Sequence, residues 1–194
     1  ALGAYPDKDI TIILRSHPSD DTFESRFEEF KKYPFVRLFK SPEVINFNPF
    51  DFRDDMIKVN ILLERTKLVI CGQSTFAIDS ACTDTPIINI SFEGDIVVNE
   101  KLSVKNRYNV DHYQKLISYN GTKVVDNFDS LDKQIIKYLN DPKLDQKGRD
   151  LIKINFAGVS KKSSSDRILE RILLVLDGGN GRIWTSDLGL MKTP

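Results

Sequence analysis

Two apolar runs, joined by a hydroxyl-rich turn and a short helical segment, constrain this chain more than any other feature. The runs cover residues 68–71 and 87–90, and such continuous apolar runs are typical of strands that are covered on both faces. Gly72 permits a tight turn after the first run. Ser74 and Thr75 stand where a helix N-cap and first turn belong. The stretch therefore predicts a buried β-α-β unit.

The rest of the chain continues this alternation of strand and helix patterns. It predicts an α/β fold, a three-layer Rossmann-like domain with a mostly parallel sheet over residues 1–177, and a flexible C-terminal tail at 178–194. Irregular segments are expected at residues 41–52 and 93–108. Further strands are predicted at 9–16, 35–39 and 122–125, and helices at about 20–33, 52–65, 109–118, 129–140, 144–156 and 163–177.

Charge and composition exclude several classes of protein. The 28 basic and 28 acidic side chains balance, so no nucleic-acid partner is expected. No apolar run approaches the roughly 20 residues that cross a bilayer, and no signal peptide is visible. A cytoplasmic protein is therefore expected. Cys71 and Cys82 are expected to be buried thiols of a reducing compartment, with a disulfide as the alternative.

Polar residues follow two of the predicted strands. Arg15 and His17 come after the first strand, and residues 72–75 come after the third. Ligands of parallel sheets bind at the carboxyl ends of the strands, so both groups are expected at one sheet edge. Ser74 and Thr75 are suited to bind a phosphate at a helix N-terminus, although plain helix capping is the commoner role of such residues.

Histidine and carboxylate residues supply the other candidates. His17 can donate to a phosphate oxygen or exchange a proton near neutral pH, and a hydrogen bond within a turn is the alternative. Asp79 lies one helical turn beyond Thr75, where it either accepts from ribose hydroxyls or simply complements the helix dipole. His112 and Tyr113 are expected on a surface helix.

Two common kinds of site are disfavoured. The turn at 72–75 has neither the Gly and Lys spacing of a Walker loop nor the three-glycine dinucleotide fingerprint. The paired carboxylates at 20–21 and 54–55 stand at predicted helix starts, where acidic residues are common. We therefore expect no cofactor and no metal ion.

The order of these motifs resembles the C-terminal half of a GT-B glycosyltransferase. The matching segments are IILRSHP at 12–18, LVICGQST at 68–75, PII at 86–88, and scattered residues between 111 and 168 that include Gly148 and Arg149. The resemblance is to surface-polysaccharide enzymes of the CDP-glycerol glycerophosphotransferase-like and capsule-transferase type. These enzymes carry a His-Pro motif and a later Ser-Ser or Ser-Thr motif.

The resemblance implies a role for each matching residue. His17 would contact the phosphates of a nucleotide-activated sugar or polyol donor as the catalytic residue, with Arg15 beside it. Ser74 and Thr75 would bind the same phosphates, and Asp79 would hold the ribose. Stabilisation of the phosphate leaving group by dipoles and donors would drive the transfer.

A GT-B enzyme has a second domain that binds the acceptor, and no segment of this chain corresponds to it. The chain begins with Ala1 rather than Met and enters a strand signal almost at once. We therefore expect an N-terminal domain upstream, which would engage a polysaccharide or lipid-linked acceptor, with peripheral membrane association of the full-length protein. The fragment alone is expected to be inactive. The alternatives are a UDP-N-acetylglucosamine 2-epimerase-like enzyme and a non-catalytic Rossmann-like interaction domain.

Overall fold

Parallel strands with helices between them form the structure of this chain. It is a computed structural model, and it describes residues 10–17, 20–41, 49–94, 99, 103–159 and 162–176. The chain divides into two compact units, Ala1–Arg65 and Thr66–Pro194. Each unit contains its own parallel strand pairing, so the predicted α/β class with parallel strands is confirmed.

The first unit pairs two strands. Strand β1 (Ile12–Arg15) lies parallel to β2 (Val36–Phe39), with Ile12 opposite Val36. Helix α1 (Phe23–Arg26) and a 3₁₀ helix (Glu28–Lys32) connect them, and α2 (Pro49–Arg65) ends the unit.

One continuous helix was expected at about 20–33, and this is wrong. The rings of Phe27, Phe30 and Tyr33 instead follow one another at centroid distances of 5.8 and 6.4 Å. A spacing of three residues matches the period of a 3₁₀ helix, whose side chains at i and i+3 eclipse. Helix α2 also begins three residues before the expected start, at Pro49, because proline is favoured in the first turn of a helix.

The second unit builds a three-stranded sheet in the order β3-β4-β5. Strands β3 (Val69–Cys71), β4 (Ile87–Ile90) and β5 (Lys123–Val125) are all parallel. The core beneath them contains the buried side chains of Ile88 and Tyr138. The helices of this unit are α3 (Phe76–Cys82), α4 (Val104–Arg107), α5 (Asp111–Ser118), α6 (Phe128–Asn140), α7 (Gln146–Phe156) and α8 (Ser164–Leu176), of which the last three follow β5.

Helix caps in the second unit test the sequence predictions residue by residue. The Ser163 hydroxyl accepts from the Asp166 amide at 3.1 Å, which confirms the predicted capping motif of α8. The cap of α6 was expected at Asp129 or Ser130. It is Asn127, whose side chain accepts from the Ser130 amide at 2.8 Å.

Helix α8 places apolar side chains at the surface. Ile168, Leu169, Ile172 and Leu173 are each about half exposed. Within the described part of the chain, no helix combines the length and apolar character needed to cross a bilayer. The predicted tail at 178–194 lies outside the described residues, as do Pro18 and most of the predicted loop at 41–52.

Candidate functional site

The turn at residues 72–75 follows β3 and leads into α3. The Ser74 hydroxyl accepts from the Phe76 amide at 3.1 Å. Thr75 is the N-cap residue, but its hydroxyl makes no capping bond and the residue is exposed. Ser74 therefore caps the helix, while the Thr75 side chain faces solvent. The two hydroxyl residues that the sequence presents as a pair have different roles.

Gly72 leaves room beside this turn. A Cβ added at Gly72 would meet no heavy atom within 4 Å, and the residue is exposed. A ligand can therefore approach the backbone closely at this point, which a bulky side chain would hinder. The turn is held from the other side, since the Nδ2 of Asn89 donates to the Gly72 carbonyl at 3.1 Å.

Tyr113 of α5 contacts the same turn from within the protein. Its hydroxyl lies 3.4 Å from the Ser74 amide nitrogen, from which it accepts, and 3.3 Å from the Ser74 carbonyl oxygen, to which it donates. Burial raises the pKa of Tyr113 to about 12, and hydrogen bonds from Ser74 and Asn89 partly offset the rise. The phenol therefore keeps its proton near neutral pH.

The expected surface position is right for His112, which is exposed, and wrong for Tyr113, which is only 1% exposed. The Tyr113 ring packs edge-on against Tyr108 at 5.5 Å. Aromatic pairs of this kind stabilise a fixed ring orientation. Sequence reasoning missed Tyr113 because its partner, Ser74, lies 39 positions away.

Asn89 is the other polar residue that sequence reasoning missed. It is fully buried in β4, and besides the Gly72 carbonyl its Nδ2 lies 3.5 Å from the Cys71 sulfur. Its Oδ1 has no hydrogen-bond partner among the described residues. A signal existed, because a lone amide inside the apolar run at 87–90 needs a specific partner.

The two thiols lie in different environments. Both cysteines are free. Burial raises the pKa of Cys71 to about 11, and the hydrogen bond from Asn89 partly offsets this rise. Cys82 is exposed rather than buried as expected. Its pKa is raised by partial burial first and then by the negative charge of Asp79. Asp79 itself is half-buried in the first turn of α3.

Arg15 and His17 belong to the first unit, whereas Ser74, Thr75 and Asp79 belong to the second. The expectation that both groups share one sheet edge therefore stays a prediction.

Within the first unit, Arg15 forms an ion pair of 2.8 Å with Asp55, a carboxylate that is only 5% exposed. The sequence predicts only that Asp55 is an acidic residue at the start of a helix, so the prediction misses this ion pair. His17 is exposed, and its carbonyl accepts from the Asp20 amide at 2.9 Å. The positive charge of Arg15 is thus already shared, while the imidazole of His17 reaches solvent.

Comparison with family models, with curated proteins and with solved structures finds no significant match to this chain. No group of three or more potential ligand side chains among the described residues could hold a metal ion.

Proposed function

We propose that this chain is the donor-binding half of a glycosyltransferase-like enzyme. It would transfer a sugar or polyol phosphate from a nucleotide-activated donor during surface polysaccharide biosynthesis. One observation carries the proposal. The turn at 72–75 combines an exposed hydroxyl residue, Thr75, with open space beside Gly72, and it lies at the carboxyl end of a parallel strand. This is where open parallel sheets bind their ligands.

Thr75 and Asp79 supply the donor contacts within the second unit. The Thr75 hydroxyl donates to a phosphate oxygen of the nucleotide. The Asp79 carboxylate accepts from a ribose hydroxyl, as the resemblance to GT-B enzymes implies. Ser74 supports the phosphate contact indirectly, because its hydroxyl already accepts from the Phe76 amide. The catalytic role of His17 and the donor-binding role of Arg15 rest on the resemblance alone.

Polar residues at the carboxyl ends of β3 and β4 favour this proposal over a non-catalytic interaction domain. Such a domain would present a closed apolar surface there. The turn instead carries the hydroxyl of Thr75, and the buried amide of Asn89 lies beneath it with an unpartnered acceptor.

Nucleotide titration of the isotope-labelled chain tests the proposal. CDP, UDP, GDP and CMP are added in turn while backbone amide shifts are recorded, with inorganic phosphate as a control for simple anion binding. We expect saturable shifts at Thr75 and its neighbours with at least one nucleotide. The absence of any response there would overturn the nucleotide site.

In the full-length protein, His17→Ala should lower the rate of transfer at least tenfold if the histidine stabilises the leaving phosphate. Exposed His112 gives a matched control, since His112→Ala removes the chain's other imidazole from a surface helix. An unchanged rate of transfer in the His17 variant would contradict the catalytic role of His17. The nucleotide site would still be tested separately, by the titration.

A further inference from the structure

We infer that Asn120 is a modification site, whose side-chain amide is lost by deamidation when the turn at 119–121 separates from α7. The inference is independent of the proposed nucleotide-binding function. Asn120 stands directly before Gly121. Asparagine before glycine loses its amide most readily, because glycine has no side chain to hinder its backbone nitrogen. Asn120 is also exposed, so water reaches it.

The reaction needs only the chain and water. The Gly121 nitrogen attacks the Cγ of Asn120, a nitrogen–carbon bond forms, and the Cγ–Nδ2 bond breaks. The proton of the Gly121 amide leaves with the departing nitrogen as ammonia. Water then opens the resulting cyclic succinimide at either carbonyl, which gives aspartate or isoaspartate. Isoaspartate carries the main chain through Cβ, so it adds an atom to the backbone of the turn.

The conformation of Asn120 keeps the reacting atoms apart. Asn120 has a φ of 55°, a left-handed conformation that suits asparagine after the end of a helix, here α5. In this conformation the Gly121 nitrogen and the Asn120 Cβ lie on opposite sides of the Cα–C bond. The Asn120 Nδ2 also donates to the Ser118 carbonyl at 3.4 Å, which holds the side chain toward the preceding residues. Ring closure therefore requires the peptide between Asn120 and Gly121 to turn over.

The packing of α7 prevents this rotation. Gly121 is buried, and a Cβ added to it would lie 2.5 Å from the Gly148 carbonyl carbon and 2.6 Å from the Arg149 amide nitrogen. A Cβ added to Gly148 would in turn clash with the backbone of Asn120 and Gly121. Because backbone lies against backbone, a peptide that turns over collides with α7. Deamidation of Asn120 therefore waits until the contact between the turn and α7 opens locally.

Isoaspartate at position 120 should keep this contact open. It lengthens a turn that has no room for an added methyl group at Gly121 or Gly148, so the turn cannot return to its place against α7. Helix α7 carries Arg149, which is paired with Asp84 at 2.9 Å, and displacement of the helix would strain this ion pair. A brief local opening is thus converted into a lasting change of the second unit.

The rate of deamidation in the folded chain tests the protection of Asn120. The chain and the free peptide of residues 116–123 are incubated at pH 8, and mass spectrometry of tryptic digests follows the loss of the amide. We expect the folded chain to react at least about tenfold more slowly than the peptide, because only the open form reacts. Equal rates would overturn the protection by α7, and this comparison needs no variant to fold.

Two variants separate local opening from a general loss of stability. Gly148→Ala weakens the contact itself, whereas Val69→Ala removes buried methyl groups from β3, which β4 separates from β5. Below the unfolding temperatures of both, we expect Gly148→Ala to speed deamidation of Asn120 at least about fivefold and Val69→Ala less than about twofold. Equal acceleration by the two variants, or an unchanged rate in folded Gly148→Ala, would overturn local opening as the controlling step.

A last measurement tests the lasting change. An Asn180→Gln background leaves Asn120 as the only asparagine before a glycine. This chain is deamidated in urea, its isoaspartate form is isolated and refolded, and its thermal unfolding is compared with that of Asn120→Asp. Both forms carry the same added charge, but only isoaspartate lengthens the backbone. We expect the isoaspartate form to unfold at least about 2 °C lower. Equal unfolding midpoints would contradict the inference that isoaspartate keeps the contact open.

Discussion

Arg149 donates from its Nε to the Oδ1 of Asp84 at 2.9 Å, across 65 positions of the sequence. The Arg149 side chain is fully buried, and its two Nη atoms donate to the carbonyls of Leu144 and Pro142 at 2.7 and 2.8 Å. Asp84 has a φ of 58°, a left-handed conformation that aspartate tolerates better than most residues. One side chain therefore ties the end of α3 to the loop that precedes α7.

Arg149→Met should destabilise the chain by about 3 kcal/mol, because it keeps much of the volume but removes three hydrogen bonds of a buried side chain, one of them to a carboxylate. Thermal unfolding followed by circular dichroism measures the loss. Arg107→Met is the matched control, since Arg107 is exposed on α4 and its replacement should change the midpoint little. Equal midpoints for the two variants would show that the buried contacts of Arg149 contribute nothing.

Gly148→Ala should be strongly destabilising, by about 1–3 kcal/mol. A Cβ at Gly148 would lie 2.4 Å from the backbone of Asn120 and Gly121, which cannot move aside as a flexible side chain would. Gly72→Ala makes the same chemical change where no atom lies within 4 Å, so it should leave the unfolding midpoint nearly unchanged. If both variants unfold alike, the close approach of α7 to the turn at 120–121 is not as the structure has it.

The fold was predicted from local patterns in the sequence. The apolar runs at 68–71 and 87–90 identify strands because their length and their bounding turn signals are local properties. The division of the predicted helix at 20–33 could not be foreseen in this way, since aromatic residues three positions apart suit both kinds of helix. The pairing of the strands in two separate sheets depends on tertiary contacts, which periodicity does not encode.

The candidate site was predictable only in part, for the same reason. Ser74 and Thr75 stand out because capping chemistry is local. The contacts of Tyr113 and Asn89 with their turn join residues that are distant in sequence. Arg149 is the opposite case. Its motif contributed to the resemblance, but its contacts in the structure are those of a buried structural side chain.

The thiols should react at very different rates with an alkylating reagent. Cys82 is exposed, whereas burial raises the pKa of Cys71 to about 11. Since the thiolate is the reactive form, iodoacetamide at pH 8 should modify Cys82 at least ten times faster than it modifies Cys71. Mass spectrometry of Cys71→Ala and Cys82→Ala measures each thiol alone. Faster modification of Cys71 would contradict the burial of its thiol.

The raised pKa of Cys71 also predicts a loss of stability in alkaline solution. The thiol ionises near pH 9.0 when unfolded and near pH 11 when folded. The folded state therefore holds the thiol proton of Cys71 more tightly than the unfolded state does. The contribution of this difference to the free energy of unfolding is fully present below pH 9 and is lost as the pH rises toward 11. Urea unfolding across that window should show a steeper decline for the wild type than for Cys71→Ala. Parallel curves would mean that the thiol is not buried.

Ser74→Ala and Thr75→Val should separate stability from binding. The Ser74 hydroxyl caps α3, so Ser74→Ala should lower the free energy of unfolding by about 1 kcal/mol. Thr75→Val keeps the shape of an exposed side chain whose hydroxyl makes no capping bond, so it should leave stability nearly unchanged.

If the Thr75 hydroxyl donates to a phosphate, Thr75→Val should weaken nucleotide binding about tenfold, since hydrogen bonds to charged groups are the stronger ones. Urea unfolding and nucleotide titration of both variants measure the two effects. Wild-type affinity in Thr75→Val would remove Thr75 from the proposed site, whatever the stability of Ser74→Ala.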